Sequence, residues 1–275
     1  MIKKNKLLIY AITFMIFTIS IKLEKNFAAE SNVPPVQTES VLFRFNDNAG
    51  DIYTIKGIST LKFYMNNHLR QNAVSHWESL QKAMVQTNTG MKFSFSYKST
   101  RQGNETANTS SEFIRKSTGE MLVNSESFFP QSVSVPTFPA EPVKVGHSWE
   151  SAGEEVIDFR KLGTSEPFRL KFHARYVFKG FESVNGKRLA VIHVFYVVND
   201  NRQRRIYTPV FGRTGGEGSY LPARLMGYFE RHFYWDMEQN YWKKMDASIN
   251  FILTFTGGVT VEWESRVKSE MIKSR

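Results

Sequence analysis

The chain has 275 residues and a formal net charge of +10, from 36 Lys and Arg against 26 Asp and Glu. Zero cysteines exclude a disulfide scaffold, cysteine-ligated zinc, iron–sulfur clusters, a cysteine nucleophile and an acylated cysteine. At 41% hydrophobic and 14% aromatic residues the chain is not disordered as a whole. Residues 1–29 hold five of the lysines against one acid, so the remainder is only mildly basic and its charge does not argue for nucleic acid.

The first segment reads as an export signal. Met1–Lys6 is basic, and Leu7–Ile21 is uncharged and mostly apolar. That run is shorter than the about 20 residues a membrane-spanning helix needs. Ala28-Ala29 offers a cleavage point, an imperfect one because Asn26 or Phe27 stands where a small residue is preferred. The expectation is a signal peptide over 1–29, with an uncleaved anchor as the alternative. The destination is then the periplasm or the face of the outer membrane. Residues 30–40 are a polar, proline-containing lead-in, and 41–271 read as a single β domain, with two lobes joined by 135–150 as the variant.

Within that domain the pattern is of period two, which puts one row of side chains on a core and the other in water. Met91, Phe93, Phe95 and Tyr97 alternate with polar residues, as do Leu170, Phe172, Ala174, Tyr176 and Phe178. Ile249–Phe255 and Val259–Trp263 repeat the pattern. Asn88-Thr89-Gly90, Asn185-Gly186 and Gly257-Gly258 supply hairpin chemistry between such runs. Leu189–Val198 is apolar on both faces apart from His193, as a central strand would be. Residues 72–87 fit a short amphipathic helix and a long edge strand equally well, and 223–231 are a second short helix candidate. Residues 101–112, with nothing apolar larger than alanine, read as a solvated loop. The fold class is therefore all-β: an antiparallel sheet curled into a barrel or half-barrel, with at most two short helices.

No stretch assembles a catalytic motif. Gly212–Ser219 is glycine-rich but lacks a P-loop ending. Glu150, Glu154, Glu155 and Asp158 are a dense group of carboxylates without the spacing of a calcium loop. The six histidines are scattered singly, and His193 reads as a hydrogen-bonded core residue. Accordingly no catalytic, metal or cofactor residues are assigned. Arg202, Arg204 and Arg205 form a basic stretch that could contact anionic lipid, and Tyr234, Trp235 and Trp242 belong to an aromatic cluster that could line a pocket.

Residues 135–160 (VPTFPAEPVKVGHSWESAGEEVIDFR) make an extended crossing. Pro136, Pro139 and Pro142 exclude helix, Gly146 brings a turn, and Trp149 is placed to anchor the segment on the sheet. Pro136, Phe138, Pro139, Val143, Gly146, Trp149, Gly153, Glu155, Asp158, Phe159 and Arg160 together resemble the N-terminal β-rich region of spirochaete OmpA-like envelope proteins. Phe43-Arg44-Phe45, Gly50–Tyr53 and Tyr234-Trp235-Asp236 extend the likeness. The resemblance implies an envelope location and supplies no catalytic residues. Relatives of this kind continue into a peptidoglycan-binding domain and this sequence does not, so wall tethering is not expected. The function expected from all this is a non-catalytic exported envelope protein, a structural or interaction module. The alternatives are a carrier of lipid or another hydrophobic ligand, and an integral outer-membrane barrel. Its partners would be an envelope lipid or another envelope protein.

Overall fold

The structure, a computed structural model, describes residues 39–158, 167–208, 219–256 and 258–275, without the side chains of 106, 201–208 and 219–223. The export signal, most of the lead-in, Phe159, Arg160 and Gly212–Gly218 therefore lie outside the described residues. No helix occurs among those described.

The strands are β1 (Ser40–Val41), β2 (Ile52–Met65), β3 (His68–Gln86), β4 (Met91–Arg101), β5 (Asn104–Arg115), β6 (Met121–Val123) and β7 (Ser132–Val133). After them come β8 (Val143–Lys144), β9 (Ser148–Ile157), β10 (Phe168–Val184), β11 (Lys187–Thr208), β12 (Ser219–Asp236), β13 (Tyr241–Phe255) and β14 (Thr260–Ser274). Twelve of them form one antiparallel sheet in the order β6-β5-β4-β3-β2-β14-β13-β12-β11-β10-β9-β7, nearly closed into a barrel. The first long strand is hydrogen-bonded to the last, with Ile52 opposite Ser274 and Met65 opposite Val261. The two ends of the sheet, β6 and β7, meet without a ladder between them. The link there is a hydrogen bond from the Met121 N–H to Ser134 Oγ at 2.9 Å.

The alternation read from the sequence sets the two faces. Along β10, Phe168, Leu170, Phe172, Ala174, Tyr176 and Phe178 are buried, while Lys171, His173, Arg175 and Lys179 are exposed. Along β14, Glu264, Arg266, Lys268 and Glu270 take the exposed row. Three glycines on the inner face each have a ring lying over them from the residue directly opposite: Gly57 under Trp77, Gly153 under Phe172, Gly227 under Phe251. Inside a tightly curved sheet a missing Cβ is what gives such a ring room.

Several expectations need correcting. Of the two readings open for residues 72–87 the strand is the one found, in β3, but between β2 and β4 rather than at an edge, and Leu80 and Met84, which a helix would have buried with Trp77, point outward. Residues 223–231 lie in β12. The expected loop 101–112 is mostly β5, with only the turn Gln102-Gly103 between it and β4. Its small polar residues suit a strand beside the seam, because Phe95 and Tyr97 of β4 stack with Phe129 and fill the space next to it. The basic stretch at Arg202, Arg204 and Arg205, for which no element was expected, is part of β11, with a register irregularity between Asp200 and Arg204. Finally, β11 is not covered on both faces, since Phe195 and Val197 are exposed.

One end of the barrel is stopped by the segments flanking β1 and β8, which pair with each other. Phe43 and Phe45 follow β1, and Phe138 comes from the proline crossing. Their rings gather on Trp235, with Phe138 4.7 Å and Phe45 4.9 Å from it, both edge to face. Backbone bonds from the Phe45 N–H to the Ser117 carbonyl and from the Phe138 N–H to the Thr118 carbonyl fix this stopper to the chain between β5 and β6. Arg44 donates to the Pro139 carbonyl at 2.7 Å, joining the two halves of the stopper.

Candidate functional site

Behind the stopper the barrel is not completely filled. A chamber of about 250 Å³ remains, walled by rings such as Trp77, Phe95, Tyr97, Phe233 and Trp242. Two arginines, Arg115 and Arg231, are set into this wall. Both belong to the inward phase of their strands, Arg115 two residues after Phe113 and Arg231 between Phe229 and Phe233.

Arg115 is fully engaged. Its Nη2 and Nε donate to the two carboxylate oxygens of Asp47 at 2.7 and 3.1 Å. The guanidinium lies over the rings of Phe45 and Phe93, 4.1 and 4.5 Å from their centroids. Asp47 also accepts from the Tyr53 hydroxyl at 2.7 Å. Burial, and then the Asp47 charge, push that phenol above the ordinary tyrosine range. A bidentate, stacked pair of this kind fixes geometry as well as charge.

Arg231 is only partly engaged. Its Nη2 donates to Ser132 Oγ at 2.7 Å and to Glu155 Oε1 at 3.1 Å, but its buried Nε has no partner. The same Glu155 oxygen accepts the Tyr196 hydroxyl at 2.5 Å. Burial raises the Glu155 carboxyl above the usual carboxylate range, although Arg231, Ser132 and Tyr196 all pull it down. This site was legible in one respect: an arginine standing in the apolar phase of an aromatic strand must find a buried partner.

The carboxylate group noted in the sequence is split by the strand period. Glu155 is buried on the inner face against Arg231 and Tyr196, while Glu154 faces outward and meets Arg169 at 2.6 Å. The aromatic candidates divide in the same way. Trp242 lines the chamber, Trp235 belongs to the stopper, and Tyr234 points to the outer face. The side chains of Arg202, Arg204 and Arg205 lie outside the described residues. Pro136 is buried against the chamber, Pro139 receives Arg44, Gly146 turns at φ +82°, and Trp149 stacks on Tyr176.

On the outer wall the structure brings together residues that the sequence keeps far apart. His193 of β11 sits directly opposite His232 of β12, with ring centroids 4.5 Å apart and planes within 13°. His193 Nε2 is 2.8 Å from Glu230 Oε1. His193 is thus hydrogen-bonded, as expected, but half-buried on the outer face rather than in the core. Burial, followed by the charge of His193, holds His232 below the ordinary imidazole value, against the opposite pull of Glu230 and Asp246.

No family model matches the chain, and no curated protein matches it. Among solved structures, the chain is similar to the hypothetical lipoprotein YmcC of Escherichia coli (K12), at 12% identity and TM-score 0.26 over 75% of this chain and 82% of that one. It is also similar to Salmonella typhi OmpF in complex with daunomycin, at 7% identity and TM-score 0.30 over 83% of this chain and 100% of that one. At these values the likeness carries no argument about function.

Proposed function

We propose that the protein is a non-catalytic, exported component of the cell envelope that works by binding, holding a small molecule with an apolar body and one acidic group inside its barrel. The observation that carries this reading is Arg231: a buried cation in the wall of an aromatic chamber, with its Nε unpartnered. An unmade hydrogen bond at a buried charged group costs on the order of 1–3 kcal/mol or more, and a carboxylate, phosphate or sulfate in the chamber that drew the Arg231 guanidinium toward it would offset that cost. The surrounding rings favour an aromatic or short aliphatic body over a sugar, whose hydroxyls would find few partners there. At about 250 Å³ the chamber is a little smaller than the pockets that hold drug-sized ligands, about 300–1,000 Å³, so a full-length lipid tail is too large.

The export-signal pattern at the N-terminus and the resemblance of the proline crossing support an envelope location. The faces of the sheet speak against the integral-barrel alternative. A membrane barrel turns apolar residues outward, and a Lys or Arg facing lipid at mid-depth costs about 2–4 kcal/mol. Here the outward rows hold charges such as Lys171, Arg175, Arg266 and Lys268, and most of the rings face inward, with Phe195 and Tyr228 among the exceptions.

The test is titration of the purified protein with octanoate and with 4-phenylbutyrate, followed by tryptophan fluorescence, since Trp77 and Trp242 line the chamber. Saturable binding that is lost in Arg231→Met is the expected result. In that variant Glu155 can take up a proton, as its raised pKa already favours. Absence of saturable binding to the folded protein would leave a purely structural or interaction module.

A further inference from the structure

We propose that His193, Glu230 and His232 form a zinc-binding site on the outer wall of the barrel. The site is separate from the chamber and does not depend on the reading given above. The ligand atoms of the three residues all lie within 4.8 Å of one another. Around a tetrahedral zinc ion with bonds of about 2.0–2.1 Å, neighbouring ligand atoms stand roughly 3.3 Å apart. Modest rotation of three side chains on the outer face closes that difference. The backbone need not move, because the positions are set by cross-strand register: His193 opposite His232, and Glu230 two residues away on the same face.

The donor set has the chemistry of the ion. Two imidazoles and one carboxylate are zinc ligands, and three protein ligands leave a fourth position for water or for a group from another molecule. Directly across β13 from His232 stands Asp246, whose Oδ2 is 2.8 Å from Lys244 and whose buried Oδ1 has no partner. It provides negative charge beside the site. The arrangement is also hard to explain as a stability device. Stacked imidazoles gain little from each other in water, and the single His193–Glu230 hydrogen bond is half exposed, where such contacts contribute little. Magnesium and calcium, which take oxygen ligands, should bind poorly.

The experiment is competition of the full chain, held in a mild detergent, against a chromophoric chelator for zinc. One equivalent should bind with micromolar affinity. His193→Gln and His232→Gln should each weaken binding by about tenfold or more, and Glu230→Gln by less. His68→Gln and His76→Gln, both on β3 and outside the cluster, should leave it unchanged. Zinc should raise the melting temperature of the parent but not of the His193→Gln/His232→Gln double variant, whose melting without zinc should match the parent because both side chains lie on the outer face. No uptake at 100 μM zinc would overturn the proposal, and so would uptake that survives in the double variant.

Discussion

Lys273 Nζ lies 2.7 Å from a carboxylate oxygen of Asp51, and this pair fastens the chain at the head of β2 to the end of β14. Asp51 is completely buried and also accepts the Asn48 N–H at 2.8 Å. Its burial opposes ionisation, but the Lys273 hydrogen bond, the Asn48 N–H and the charges of Lys273 and Arg275 outweigh it, so the carboxyl titrates below the usual aspartate value. The β2–β14 ladder joins the first long strand to the last in the middle of the sheet, and this contact fastens one end of it.

The acid dependence follows from the sign of that shift. A carboxyl depressed in the folded state binds more protons when unfolded, so stability rises with pH across the interval between the two values. The contribution is fully present above the unfolded value of about 3.9 and is lost as the pH falls through the lower, folded one. Asp51→Asn should therefore melt below the parent at pH 6, and the gap should narrow below pH 3.5. Melting curves of both proteins across that range check this, and a gap that stays constant down to pH 2 would show that the ionised pair contributes nothing.

A larger effect is expected at Asp47. Its carboxylate and the Arg115 guanidinium are each about 6% exposed, so removing the acid leaves a buried, unpaired cation. Breaking such a pair from one side costs about 3–5 kcal/mol, whereas replacing both partners with apolar residues is often neutral. Asp47→Ala should lose that amount in urea denaturation, and Asp47→Ala/Arg115→Met should recover most of it. Equal losses in the single and double variants would mean that the stacking of Arg115 on Phe45 and Phe93 matters more than its charge.

The strands that could be read from the sequence were those whose inner row is aromatic. β4 and β10 show why: an apolar residue at every second position, most of them phenylalanine or tyrosine, leaves little choice of period. β5 was missed because its inner positions, such as Ala107, Thr109 and Ser111, carry no apolar signal beside rings that other segments supply. β3 was ambiguous because Leu80 and Met84 are apolar yet point outward, so its composition does not report its buried face. The candidate sites were hidden for a different reason. Arg231 meets Glu155 only across the curled sheet, and His193 meets Glu230 and His232 only through the register of β11 on β12. Neighbours in sequence such as Glu154 and Glu155, or Tyr234 and Trp235, are sent to opposite faces.

Gly57 gives a test of the inner wall. A Cβ added there would stand 2.3 Å from the Trp77 ring, so the indole has to leave its place and its hydrogen bond to Ser59 at 3.1 Å. Overpacking of this kind costs about 1–3 kcal/mol. Gly57→Ala should lose that amount and shift tryptophan emission, and Trp77→Ala introduced beside it should remove the clash, making the double variant less unstable than the sum of the two singles. Strict additivity would place Trp77 away from Gly57.

Trp149 holds the proline crossing to the barrel through two contacts of different character. Its ring lies flat on Tyr176, with centroids 5.3 Å apart and planes within 8°, and its Nε1–H donates to the Thr137 carbonyl at 2.9 Å. Thr137 in turn donates its hydroxyl to that of Tyr176 at 3.2 Å, so the crossing, β9 and β10 are tied in one small network. Emptying a fully buried tryptophan site costs about 3–5 kcal/mol, but part of this ring faces water, so Trp149→Ala should cost about 2–3 kcal/mol. Trp149→Phe keeps the stack and loses only the donor, which places its cost near 1 kcal/mol. Urea denaturation of the two variants separates the terms: an equal loss in both would assign the anchoring to the hydrogen bond, and no loss in either would mean that the crossing is held by Pro136 and Phe138 alone.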